Sequence, residues 1–124
     1  MVNFGAKGTI PERYRNRKIL EHNPTVTLMR TTKEECALVG KFIVDKIKRF
    51  AKDPKKVQVW LPLGGVSVVD TPGAVFHDKE ADEVLFGTVR KGLLGTEVKV
   101  VEDERDINDA GFAKAMSESL ISLL

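Results

Sequence analysis

His22 and His77 are the two imidazoles of the chain, and each has carboxylates close by: Glu21 for the first, Asp78 and Asp82 for the second. A histidine beside a carboxylate can carry a proton near neutral pH or ligate a metal. Neither HxH nor HExxH spacing occurs, and Cys36 is the single cysteine, so no metal site is expected. His77 and Asp70 are therefore the candidates for acid–base work. In the plainer reading Asp78 caps a helix and His77 bonds within the turn before it. Arg30-Thr31-Thr32 stands where a helix begins, and free N–H groups there, with a guanidinium alongside, suit a phosphate or carboxylate. The same threonines also make ordinary helix caps. Gly64-Gly65-Val66-Ser67 either lets backbone approach a ligand closely or simply turns the chain.

Several chemistries are excluded by spacing. Neither GxGxxG nor GxxxxGK[ST] is present, so no complete nucleotide fingerprint exists. Ser67 lies outside any GxSxG elbow, which argues against serine hydrolysis. Cys36 falls on an apolar helical stripe without a base beside it and reads as a small buried hydrophobe.

The elements that must position these residues alternate. Three short β-rich runs, near 25–30, 57–62 and 97–102, are each followed by helical periodicity. The first helix carries Cys36, Val39, Phe42, Ile43, Ile47 and Phe50 at helical spacing, the second Ala81, Leu85 and Val89, the third Phe112, Met116, Leu120 and Leu123. Such alternation predicts an α/β fold: a three-layer, Rossmann-like parallel sheet of about three strands with three helices. Residues 1–24, with Gly5, Gly8, Pro11 and Pro24, read as an irregular N-terminal arm, and residues 25–124 as the α/β domain. In open parallel sheets ligands bind beyond the carboxyl ends of the strands. That rule selects three loops, holding Arg30, Thr31 and Thr32, then Gly64, Gly65 and Ser67, then Asp103, Asp106 and Asn108.

Twenty basic and eighteen acidic residues leave a formal charge of +2, too small to give a field for nucleic acid. In the arm, only Tyr14 interleaves the basic cluster Arg13 to Lys18 for stacking on bases. No apolar run reaches the roughly 20 residues of a membrane span, and one cysteine fits a reducing compartment. A cytoplasmic protein without membrane or nucleic-acid partner is the expectation. Three parallel strands would leave two open edges, so a homo-oligomer or a complementary upstream chain is expected to cover them.

The separated sequences Met-Val-Asn-Phe-Gly at 1–5, Ile10-Pro11, Glu21-His22-Asn23 and Val26 through Thr32 occur in order along the chain. They are followed by Leu61-Pro62 with Gly65-Val66-Ser67, Asp70 with Pro72-Gly73, Phe76-His77-Asp78 with Glu80-Ala81-Asp82, and Ile107-Asn108-Asp109. In this the whole chain resembles the closing third of Tm-1-like (UPF0261) proteins. The resemblance implies a segment of a two-lobed α/β protein of ATP-binding-domain-like type, with ATP or another phosphate-bearing ligand. No general reaction is settled for that family, and its glycine-rich nucleotide segments lie upstream of the part matched. Family members often have lysine where this chain has Gly64 and histidine where it has Asp106. The resemblance therefore implies a binding and assembly module for a small anionic ligand. The alternative is an enzyme acting on a small phosphorylated or carboxylated metabolite, with His77 or Asp70 as acid–base and Arg30 as anchor.

Overall fold

Pro24 and Thr25 interrupt two short apolar stretches, and the chain folds back on itself there. In the computed structural model, which describes residues 1–124, strands β2 (Ile19–Asn23) and β3 (Val26–Met29) form an antiparallel hairpin. The Asn23 side-chain oxygen accepts from the Thr25 N–H at 2.9 Å and from its hydroxyl at 3.0 Å, which fixes the turn. A third strand, β1 (Val2–Phe4), pairs antiparallel on the other side of β3, with Val2 opposite Met29 and Phe4 opposite Thr27. Two further bonds extend the hairpin: the Arg30 N–H donates to the Lys18 carbonyl at 3.0 Å, and Arg17 Nη2 donates to the Arg30 carbonyl at 2.9 Å. The Phe4 and Tyr14 rings lie 5.9 Å apart, with the Arg13 guanidinium 4.8 Å from the Tyr14 ring centre.

This overturns two expectations. The stretch 1–24 contains two strands and is not an irregular arm, and the run Val26–Met29 pairs with them and not with a parallel neighbour. The chain accordingly divides into two compact units, Met1–Thr32 and Lys33–Leu124.

The second unit is α/β. Helix α1 (Lys33–Phe50) begins with Glu34 and Glu35 and ends with Lys48 and Arg49, an order that suits its dipole. Helix α2 (Lys79–Leu93) is capped by Asp78, whose carboxylate accepts the Ala81 N–H at 3.0 Å. Helix α3 (Ala110–Ile121) is capped by Asp109, which accepts from the Gly111 and Phe112 N–H groups. Strands β4 (Gln58–Pro62) and β5 (Lys99–Asp103) pair in parallel, Gln58 opposite Lys99 through Pro62 opposite Asp103. Two parallel strands are found where three were expected.

Alternation along β4 sorts its side chains. Val59 and Leu61 join Val44, Phe86, Val89, Leu93, Val98 and Val100 in the core. Trp60 points the other way and meets Phe112 of α3 edge-on at 6.0 Å. Gln58 Oε1 accepts from the Trp60 indole at 3.0 Å and from the Ser119 hydroxyl at 2.7 Å, tying α3 to the strand. Fully burying a side chain such as Phe86 contributes about 1.5–3 kcal/mol.

α1 and α2 approach closely through glycine. A Cβ on Gly92 would lie 2.6 Å from Val44 Cγ2, and one on Gly40 would lie 2.8 Å from Thr88 Cβ. The buried line of α1 is consequently Cys36, Gly40 and Val44. Val39, Phe42 and Phe50, expected inward, are exposed, with Lys46 Nζ 5.1 Å from the Phe42 ring centre and 5.3 Å from that of Phe50. No helix is long and apolar enough to cross a membrane.

Candidate functional site

The pairing of β4 with β5 does not stop at the strand ends. The Leu63 N–H donates to the Asp103 carbonyl at 2.7 Å, Gly64 to Arg105 at 3.2 Å, and Ile107 back to Gly65 at 3.0 Å. Gly64 makes this possible, because a Cβ there would lie 2.7 Å from backbone atoms of Glu104, Arg105 and Asp106. Gly65 has a φ of +135°, and a Cβ on it would meet the Asp70 carbonyl oxygen at 2.8 Å. Loop packing thus requires glycine at both positions.

From Gly65 the chain makes a 3-10 turn at Val68–Asp70, capped by the Ser67 hydroxyl, which accepts from the Val69 N–H at 3.4 Å. Phe76, fully buried, returns its N–H to the Val69 carbonyl at 2.8 Å and pins the far end of the loop. His77 then follows, its Nδ1 3.1 Å from the Asp70 carbonyl oxygen. A carbonyl only accepts, so in the neutral ring Nδ1 carries the proton and Nε2 the lone pair.

Between these loops and the start of α2 lies a cleft of roughly 400 Å³. Its polar lining is His77, Lys79, Asp82, Glu83 and Glu104; Leu63, Pro72 and Phe86 supply apolar surface, and Gly65 supplies backbone. The place is the carboxyl end of the parallel pair, where open α/β sheets hold ligands. Asp82 is buried, whereas His77 and Lys79 are exposed. These side chains do not converge as a group able to hold a metal ion.

Arginines balance the carboxylates near the cleft. Arg90 bonds Glu83 at 2.8 and 2.9 Å and Glu102 at 2.7 Å, linking α2 to β5. Arg105 bonds Asp103 at 2.8 and 2.5 Å and holds that carboxyl down at about 2 through these side-chain bonds and its own N–H. Lys33 pairs with Glu80, and that hydrogen bond raises the lysine's affinity for its proton.

Of the residues singled out from sequence, Gly65 and His77 line the cleft. Asp70 is buried next to it and reaches His77 through its carbonyl, its carboxylate lying outside the cleft lining. Gly64 and Ser67 shape the loops, and the Asn108 N–H donates to Asp106 Oδ1 at 2.8 Å on the surface. Arg30, buried, belongs with Thr31 and Thr32 to the first unit. Sequence reasoning missed Lys79, Glu83 and Glu104, and named Asp82 only as a carboxylate near His77. Lys79, Asp82 and Glu83 lie on α2. These three share with Phe86 the spacing i, i+3, i+4, i+7, which places them on one face of α2.

Comparison with known proteins bears on the whole chain. The C-terminal domain of the uncharacterised protein family UPF0261 matches residues 1–124. A UPF0261 protein of Clostridium tetani is 44% identical over 124 residues, covering 100% of this chain and 30% of its own length. A UPF0261 protein of Mesorhizobium japonicum is 43% identical over 121 residues, covering 97% of this chain and 30% of its own length. The ToMV resistance protein Tm-1(GCR237) of Solanum lycopersicum is 43% identical over 126 residues, 99% of this chain and 16% of that protein. The chain spans less than a third of the length of these relatives.

Proposed function

The chain belongs to the UPF0261 family, whose C-terminal domain it matches from end to end, and from that premise we propose that it is a module binding a small anionic ligand and assembling with a further chain. The observation that carries the binding half is the cleft at the carboxyl ends of β4 and β5, where Lys79 is the one cation among the lining residues. Phosphate or carboxylate on the ligand would pair with Lys79 beside the first turn of α2, where the helix dipole also favours negative charge. A phosphate-bearing ligand would fit this place. Assembly is supported by β4 and β5, each with one neighbour only, and by the exposed Leu38, Phe42 and Phe50 on α1.

The test is a titration of the ¹⁵N-labelled chain with ribose 5-phosphate, followed by amide shifts. Resonances of Leu63, Gly65, His77, Lys79 and Glu104 should move together, and Lys79→Gln should weaken binding roughly tenfold, the scale of one charge-assisted hydrogen bond. Shifts scattered elsewhere, or none at millimolar probe, would remove the binding half of the proposal.

An enzyme acting on a phosphorylated or carboxylated metabolite is the second reading, favoured by one feature: His77 lines the cleft with its Nδ1 already engaged. Conversion of a metabolite by the chain, abolished in His77→Phe, would move the conclusion to that reading.

A further inference from the structure

We infer that His77 is the hydrogen-bond acceptor of the cleft, its Nε2 taking the proton end of a ligand hydroxyl, so that the ligand is a hydroxyl-rich anion of the sugar-phosphate or sugar-acid class. The inference rests on the cleft being a binding site and adds what that site selects.

The argument begins with the carbonyl that orients the ring. Asp70 closes a capped 3-10 turn, is fully buried, and its carbonyl is crowded by Gly65, where even a Cβ would come within 2.8 Å. The turn that carries this oxygen is held by the Asp70 N–H, which donates to the Ser67 carbonyl at 2.9 Å, and by the Phe76 N–H, which donates to the Val69 carbonyl at 2.8 Å. With Nδ1 donating to the Asp70 carbonyl at 3.1 Å, the ring is held from one side and Nε2 is left as an acceptor. The remaining polar lining repeats the bias. Glu104 accepts hydrogen bonds when ionised, and Lys79 alone brings a positive charge. Glu83 is already engaged by Arg90. An anion without hydroxyl groups would meet the Glu104 carboxylate and the His77 lone pair, and could satisfy neither. A ligand with one anionic group for Lys79 and several O–H donors would satisfy both sides of the lining, and Leu63 and Phe86 would cover its carbon skeleton.

Long-range ¹H–¹⁵N spectroscopy of the unliganded chain tests the tautomer directly, since only two histidines contribute signals. The expected result is a protonated Nδ1 and a bare Nε2 for His77. On adding ribose 5-phosphate the Nε2 resonance should move, whereas sulfate at the same concentration should leave it in place. His77→Phe should weaken ribose 5-phosphate binding at least roughly tenfold, and His77→Gln, which keeps an acceptor, should lose less. A proton found on Nε2 in the unliganded chain overturns the inference whatever binds. An Nε2 signal that ignores the probe while the amides of Lys79 and Glu104 shift overturns it too, and leaves the binding site standing. If neither the amides nor Nε2 respond, the site and the inference fall together.

Discussion

Gly64 separates a structural glycine from a ligand-contacting one, and Gly64→Ala decides which it is. The added Cβ would lie 2.7 Å from the Arg105 carbonyl carbon, the Asp106 nitrogen and the Glu104 oxygen. All three are backbone atoms, so no side chain can rotate aside. The loops must separate, and they are held by the Leu63, Gly64 and Ile107 N–H bonds at 2.7, 3.2 and 3.0 Å. Overpacking of this kind costs about 1–3 kcal/mol, and loss of the Gly64 bond, the longest of the three, adds about 1 kcal/mol. A loss of about 2–4 kcal/mol follows, a large share of the roughly 5–15 kcal/mol that stabilises a typical domain. Urea unfolding followed by Trp60 fluorescence reads it, because Trp60 lies on β4, the strand that leads into this loop. An unchanged midpoint and slope would show that the loop pairing tolerates a methyl group, and would refute the packing account of Gly64.

Three further outcomes are expected. Gly92→Ala should destabilise the chain by about 1–2 kcal/mol, because β-branched Val44 has little χ1 freedom in a helix and a Cβ would lie 2.6 Å from it. In a Val44→Ala background the two γ-methyl contacts are gone and only the Cβ at 3.1 Å remains, so denaturation should show a smaller loss on Gly92→Ala; the same loss in both backgrounds would defeat the idea. Asp103 is held at about 2 by Arg105, below its ordinary 3.8, so this pair's stabilisation is present above about pH 4 and is lost as pH falls toward 2. Carboxyl ¹³C titration should place the Asp103 midpoint near 2 and return it toward 3.8 in Arg105→Ala, and a midpoint unmoved by that substitution counts against the pair. If the exposed α1 face holds a second chain, Phe42→Asp should lower the mass seen by light scattering without loss of helix; a parent that is already monomeric at tens of micromolar would rule that surface out.

What the sequence disclosed depended on how local the cause was. α2 and α3 were legible because Asp78 and Asp109 cap them with their own side chains and the apolar positions recur at helical spacing. β4 and β5 were legible as short β-rich runs. β1 was not: three residues have no periodicity to read, and Val2–Phe4 is a strand only because residues 27–29 lie beside it. The inward face of α1 was misjudged for a related reason. Val39, Phe42 and Phe50 look like core by type, but a glycine at position 40 lets α2 approach on another side, and nothing local announces that approach. In the cleft, Gly65 and His77 stand out by residue type and Asp82 as a carboxylate near His77, whereas nothing local marks Lys79 and Glu83. Their role as lining becomes visible only once the loop at 63–77 is folded against them.

The two departures that the resemblance implies, at Gly64 and Asp106, also look different in three dimensions. They are neighbours: a Cβ at position 64 would lie 2.7 Å from the Asp106 nitrogen. A side chain at 64 therefore requires the 104–106 backbone to lie elsewhere. With glycine at 64 the loops close on each other, and no cation projects from the β4 loop into the cleft. The cleft's lysine and imidazole then both come from the entry to α2, as Lys79 and His77, two residues apart. In the proposed binding mode the discriminating contacts accordingly sit on α2 and the turn before it. The β4–β5 loops supply the shape, which is why loss of ligand affinity should follow substitution at 77 and 79, and loss of stability should follow substitution at 64.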